Sequence, residues 1–119
     1  MSQATRKPST VGDILLYEYL EPSGLKINDL AEILNVHRNS ASALINNNRK
    51  LSTDMAFRLA KAFETSAKFW LNIQLAVDLW EVTSSPRLQE EISRVSVVSE
   101  VVVRHEDNGS HLEGRKAHA

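Results

Sequence analysis

Four residues in one short stretch, Arg38, Asn39, Ser42 and Ala43, have the types and spacing to read the edges of DNA bases. Arginine pairs bidentately with guanine and asparagine with adenine in the major groove. Ser42 is short, so a helix carrying it can approach the groove closely, and the Ala43 methyl suits a thymine methyl. A second set suits the phosphate backbone. His37 and Ser40 stand at the start of the same segment, where free backbone amides favour anions. Asn46, Asn48, Arg49 and Lys50 add neutral donors and two cations just beyond it. Any soluble helix exposes Arg, Asn and Ser, and an Asn-rich segment is usually a loop. What points to DNA is the agreement of a reading set with a clamping set.

The elements that must position these residues follow from apolar spacing. Helix 1 is expected from Val11 to Leu20, capped by Ser9 or Thr10 and closed by the break Pro22-Ser23-Gly24. Helix 2 is expected from Ile27 to Leu34, where Ile27, Leu30, Ala31 and Leu34 make one stripe. Asn35 then tolerates the left-handed conformation that ends a helix. Helix 3 is expected from Arg38 to Asn46, with Val36, Ala41, Leu44 and Ile45 inward. The turn at Asn35-Val36 is too short for antiparallel packing, so helices 2 and 3 must cross steeply. Ala31 and Ala41 are small where the two come closest, and Val36 plugs the angle. Helix 4 is expected from Thr53 to Phe63 behind Ser52, and helix 5 from Ala67 to Val82 behind Ser66.

Helix 5 carries two apolar faces. Phe69, Trp70, Ile73, Ala76, Val77 and Trp80 make one, and Leu71, Leu75, Leu79 and Val82 the other. A surface helix needs only one such stripe. The second face is expected to meet another copy of the chain, unless helix 1 or the tail covers it. Beyond Pro86 a short helix is expected over Leu88 to Arg94. The valine-rich run Val95 to Val103 reads as a strand, with a helix continuing from Leu88 as the alternative. Asp107 to Ala119 is polar and is expected to be disordered.

Other chemistries lack their residues. The chain of 119 residues has no cysteine, which excludes thiolate metal sites and disulfides and fits a reducing cytosol. Of its histidines, His105, His111 and His118 fall in the polar tail without metal-ligand spacing, so no cofactor is expected. There is no glycine-rich phosphate loop, no nucleophile context and no apolar run that would span a membrane. No enzymatic activity is expected. The formal charge of −1 is low for a DNA-binding chain, and residues 1–50 carry six cations against five acids. Any DNA-binding face must therefore gather its cations locally.

The run Gly24 to Ser40 resembles the lambda-repressor-like, or Xre-type, helix-turn-helix. More narrowly, Val11-Gly12-Asp13-Ile14-Leu15, Phe69-Trp70-Leu71-Asn72-Ile73-Gln74 and Val77-Asp78-Leu79-Trp80 are similar to the HigA/VapI antitoxins. The resemblance covers about Pro8 to Val82. It implies an all-α, five-helix domain over residues 8–83 that dimerises, with residues 84–119 as an extension outside it. It implies binding to an inverted-repeat operator, repression of the chain's own operon and neutralisation of a RelE-like mRNA-cleaving toxin, HigB, in the cytoplasm. It also adds Lys26 and Asn28 to the phosphate contacts. Two positions depart from the family: Lys26 replaces a Ser or Thr cap, so helix 2 should be less well capped, and Asn47 stands where glycine is common. Two other functions compete: a stand-alone repressor without a toxin, and a protein-interaction module with vestigial DNA binding.

Overall fold

The computed structural model describes residues 6–107, and they are all-helical, with no strand among the described residues. The chain divides into two units between Ser84 and Ser85. No described helix is long and apolar enough to cross a membrane.

In the first unit, α1 covers residues 11–23. An α-turn (Val11–Ile14) passes into a π-helical stretch (Leu15–Leu20) and a last turn (Glu21–Ser23). The Thr10 hydroxyl caps it, accepting the Asp13 N–H at 3.0 Å. Pro22 accounts for the wide stretch. A proline inside a helix has no N–H to give, and its ring meets the carbonyl four residues back. The wider turn, with the Glu21 N–H donating to the Leu16 carbonyl, carries the chain past that conflict. The helix therefore runs beyond the expected end at Leu20 and stops at Gly24, whose φ of 69° is left-handed.

The next helices are α2 (Ile27–Leu34), α3 (Arg38–Ile45), α4 (Thr53–Phe63) and α5 (Ala67–Thr83). Ser52 and Ser66 cap α4 and α5 by accepting the N–H groups of Met55 and Phe69 at 3.1 and 3.0 Å. The Lys26 ammonium has no lone pair with which to cap α2. Half of the reciprocal arrangement survives, because the Asp29 carboxylate accepts the Lys26 N–H at 2.8 Å.

One motif ends all of the first four helices. At Gly24, Asn35, Asn47 and Glu64 the chain turns left-handed. The residue after each returns its N–H to the carbonyl five back: Leu25 to Leu20, Val36 to Ala31, Asn48 to Ala43 and Thr65 to Ala60. These bonds satisfy carbonyls that a helix end would otherwise leave orphaned. Asn47 thus does the work of the glycine common at its position.

The core lies where these helices converge. Leu15, Leu20, Leu30, Leu59 and Trp70 are fully buried, and each such aliphatic side chain contributes roughly 1.5–3 kcal/mol by leaving water. Trp70 sits among Tyr19, Phe63 and Phe69 at ring separations of 5.5, 6.1 and 5.0 Å. Its indole N–H donates to the Thr65 hydroxyl at 2.6 Å, so the buried polar edge is satisfied. Trp80, expected beside it in the core, is only half-buried. Ala31 and Ala41 are both buried at the α2–α3 contact. Arg58 on α4 reaches back to the turn between them, donating to the carbonyls of Leu34 and Asn35 at 2.8 and 3.1 Å. Asp54 holds the same guanidinium through Nε at 2.6 Å.

The second unit holds α6 (Pro86–Ser93) and α7 (Val98–Asp107). Ser85 caps α6, accepting the Leu88 N–H at 3.2 Å. The strand expected over Val95 to Val103 is not formed. Valine favours strands, but a lone strand leaves its backbone groups unpaired. The helix pairs them locally, as in the Glu100 N–H to the Val97 carbonyl at 3.1 Å. Nor does α7 continue α6, because the chain turns at Arg94 between them. His105, assigned above to the polar tail, lies on α7. The remainder of the expected disordered segment, residues 108–119 with His111 and His118, lies outside the described residues.

Two substitutions test this frame. A Cβ at Gly12 would stand 2.5 Å from the Leu44 carbonyl oxygen and 2.6 Å from that of Ile45. Gly12→Ala should therefore lower stability by about 1–3 kcal/mol in urea unfolding. Arg58→Ala should cost about 1–3 kcal/mol by leaving two turn carbonyls without a donor, and amide exchange should quicken at Asn35 and Val36.

Candidate nucleic-acid interface

The α2–α3 pair presents its polar side as one surface. Arg38 and Asn39 are exposed on the first turn of α3, and Ser42 and Ala43 follow half-buried one turn on. Ala41, Leu44 and Ile45, all buried, hold the opposite side of α3 in the core. The residues expected to read bases thus face outward because the apolar ones are held in the core. Among the described residues, neither Arg38 nor Asn39 is drawn into an ion pair. The Ser42 hydroxyl accepts from the Asn46 side-chain amide at 3.2 Å, which ties the residue that ends α3 to the turn before it.

His37 caps α3. Its Nδ1 accepts the Asn39 N–H at 3.0 Å, and the residue is exposed. Lys26 and Asn28 are exposed at the start of α2. Ser40 accepts from Arg49 at 3.4 Å, so the loop cation lies against the α3 N-terminal turn. Asn46 and Asn48 are exposed, and the Asn47 amide donates to Asp13 at 3.4 Å.

Lys50 is placed differently from the rest of the expected clamp. Its ammonium turns back to α5, where it donates to Asp78 at 2.7 Å and Glu81 at 3.3 Å. The bond from Lys50 holds the Asp78 carboxyl below its ordinary range, against the opposing effect of desolvation. The ammonium is raised in turn, by Asp78 first and then Glu81. Gln74 completes the group. It accepts the Leu51 N–H at 2.9 Å and donates to Asp78 at 3.0 Å.

Four residues near this surface were not singled out by the sequence. Lys7 lines a small cleft of about 70 Å³ with Thr10, Gly12, Asn47, Arg49 and Lys50, which adds a cation beside the loop. Arg58 fixes the turn from α4. Gln74 and Asp78 hold the loop from α5, and their signal was visible as polar residues four apart on an apolar helix.

The structure also sorts the two faces of α5. Trp70 and Val77 are buried and Ile73 packs on the core. Leu75 and Leu79 stand 52 % and 57 % exposed, and Val82 is exposed beside them. Leu71, grouped with these in the sequence, instead packs against the core. Ala76, expected inward, is exposed, and Phe69 is partly exposed while its ring packs edge-on against Trp70.

The helix-turn-helix family profile matches residues 16–70. The HTH-type transcriptional regulator YbaQ of Escherichia coli strain K12 is 68 % identical over 112 residues, covering 94 % of this chain and 99 % of that protein. Antitoxin HigA-1 of Vibrio cholerae is 46 % identical over 91 residues, covering 76 % of this chain and 84 % of its own. The solved structure of Pseudomonas aeruginosa antitoxin HigA with the higBA promoter has a TM-score of 0.68 at 31 % identity, over 76 % of this chain and 97 % of that one. With Arg38 and Asn39 outward on α3, and Trp70 buried in the core with Leu71 packed against it, the chain belongs to the Xre-type helix-turn-helix family, on its HigA-type antitoxin branch.

Proposed function

We propose that the protein is the antitoxin of a type II toxin–antitoxin pair, which binds operator DNA as a dimer, represses its own operon and neutralises a RelE-like mRNA-cleaving toxin of the HigB kind. The observation that carries the reading is the exposed pair Arg38 and Asn39 on the first turn of α3, whose side chains have no hydrogen-bond or ion-pair partner among the described residues, in a chain similar to a HigA seen with its promoter. In this reading Arg38, Asn39, Ser42 and Ala43 meet base edges. Lys26, Asn28, His37, Ser40, Asn46, Asn48 and Arg49 meet phosphates, joined by Lys7 from the chain start.

Dimerisation has a physical motive. Leu75 and Leu79 project from the side of α5 opposite the buried Trp70, and a second copy would remove them from water. A two-fold axis would then set two α3 helices about 34 Å apart, one turn of DNA, and the operator would be an inverted repeat. The protein acts by binding in this reading, with no bond made or broken.

A second reading is a stand-alone repressor. The favouring observation is the strong similarity to YbaQ, which is named as a transcriptional regulator. Co-purification separates the two. Expressed with a neighbouring gene that encodes a small basic protein, an antitoxin retains that product and restores growth. A stand-alone repressor does neither.

In mobility shifts on the promoter of its own gene, wild-type protein should bind at low salt. Arg38→Ala should cost about 1–3 kcal/mol and relax base preference, and an unaltered preference would remove Arg38 from the reading face. Leu75→Glu with Leu79→Glu should give a monomer by light scattering and weaken operator binding, because like charges would be buried at the seam. A wild-type monomer at micromolar concentration would end the dimer proposal.

A further inference from the structure

The loop after α3 is held by three side chains of α5, Gln74, Asp78 and Glu81. Gln74 accepts the N–H of Leu51, a residue whose side chain is buried in the core. The same amide donates to Asp78, and Asp78 with Glu81 takes the Lys50 ammonium. Gln74, Asp78 and Glu81 stand at spacings of four and three, on one edge of a helix that is otherwise largely apolar. Two consecutive residues of the loop are thus fixed to α5, one through its backbone and one through its side chain. The residues proposed to meet phosphate, Asn46, Asn48 and Arg49, lie just upstream of that fixed point.

Charge separates Lys50 from its neighbour. Lys50 already faces two carboxylates, so a phosphate would have to displace both. Among the described residues, Arg49 has the Ser40 hydroxyl, at 3.4 Å, as its one hydrogen-bond partner and no carboxylate, so its charge is left for an anion. Exposed ion pairs add little to stability. The value of this one lies in geometry: it fixes where the loop leaves α3 and enters α4.

Building on the DNA-binding reading above, we propose that Gln74, Asp78 and Lys50 form a bracket that positions the 46–51 loop for operator phosphates, with Lys50 as a positioning residue and not a phosphate contact. Loosening the bracket leaves the number of phosphate contacts unchanged and makes each less well aimed. Affinity falls while its salt dependence stays the same. Lys50 acts through Asp78, so removing either residue removes the same effect.

The test is a titration of a duplex from the promoter of the protein's own gene, at several salt concentrations. Gln74→Leu, Asp78→Ala and Lys50→Met should each weaken binding about fivefold to tenfold with an unchanged log–log salt slope. The Lys50→Met, Asp78→Ala double variant should be no weaker than either single, and Lys50→Arg should restore binding. In the free proteins, amide exchange at Asn48 and Leu51 should quicken in the three weakened variants while α1 is unaffected. A role in fold stability alone would lower the unfolding temperature and leave affinity and the slope at their wild-type values, which overturns the proposal. So would a slope lowered by about one in Lys50→Met, or tighter binding with a steeper slope in Asp78→Ala, because either shows Lys50 reaching phosphate itself. Failure of the wild type to bind overturns the DNA reading, and this role with it. Wild-type binding with unaffected variants overturns the bracket alone.

Discussion

The angle between α2 and α3 turns on Asn35, held left-handed with the Val36 N–H returned to the Ala31 carbonyl. That closure leaves no slack in the turn, so the two helices must cross within two residues. Crossing at such short range requires small side chains at the contact, and Ala31 and Ala41 are both buried there. Once the angle is set, Leu30, Leu34, Leu44 and Ile45 have one place to go, the core formed with α1, α4 and α5. The polar halves of the two helices are then left on a common surface. Arg58 reinforces the corner from outside by donating to the carbonyls of Leu34 and Asn35.

The other half of the architecture is α5. Its inner side seats Trp70 under Tyr19 and Phe63, with the indole N–H satisfied by Thr65. Its polar edge reaches the loop after α3 through Gln74, Asp78 and Glu81. Its outer side leaves Leu75 and Leu79 in water. A helix with three differently used sides cannot show a single clean stripe, because each side answers to a different neighbour. The same helix therefore links the core, the loop proposed to meet phosphate and the surface proposed for a second copy.

The cations are divided in a way that net charge conceals. Arg58 is committed to the turn and to Asp54, and Lys50 to Asp78 and Glu81. Arg87 and Arg94 pair with Glu91 and Glu90 along α6. Lys26, Arg38 and Arg49 are among the cations outside any ion pair among the described residues, as are Lys7, Lys61 and Lys68; the first three lie at the start of α2, at the start of α3 and in the loop after it. A formal charge of −1 is compatible with a locally basic face because most of the acids are distributed elsewhere.

Much of the fold was legible in the residues themselves. Apolar spacing placed α2 and α4 at their observed bounds, and serine caps located the starts of α4 and α5, because both signals act over three or four residues. Asn35 and Asn47 carried their left-handed turns in their side-chain type, whereas Glu64 adopts the same turn with no such mark. The outward placement of Arg38 and Asn39 on α3 was legible for the same local reason: residues that cannot enter a core must face out. Pro22 misled, since a proline stops a helix only if the turn before it does not widen. The valines from Val95 misled as well, since strand preference has force only where a partner edge exists. What only the tertiary structure decided were the pairings between residues far apart in the chain. These are Arg58 with the turn at Asn35, Gln74 with Leu51, and Lys50 with Asp78 and not the surface its charge suggested. A side chain's type states which bonds it can make. Which partner it meets depends on where the packed helices bring it.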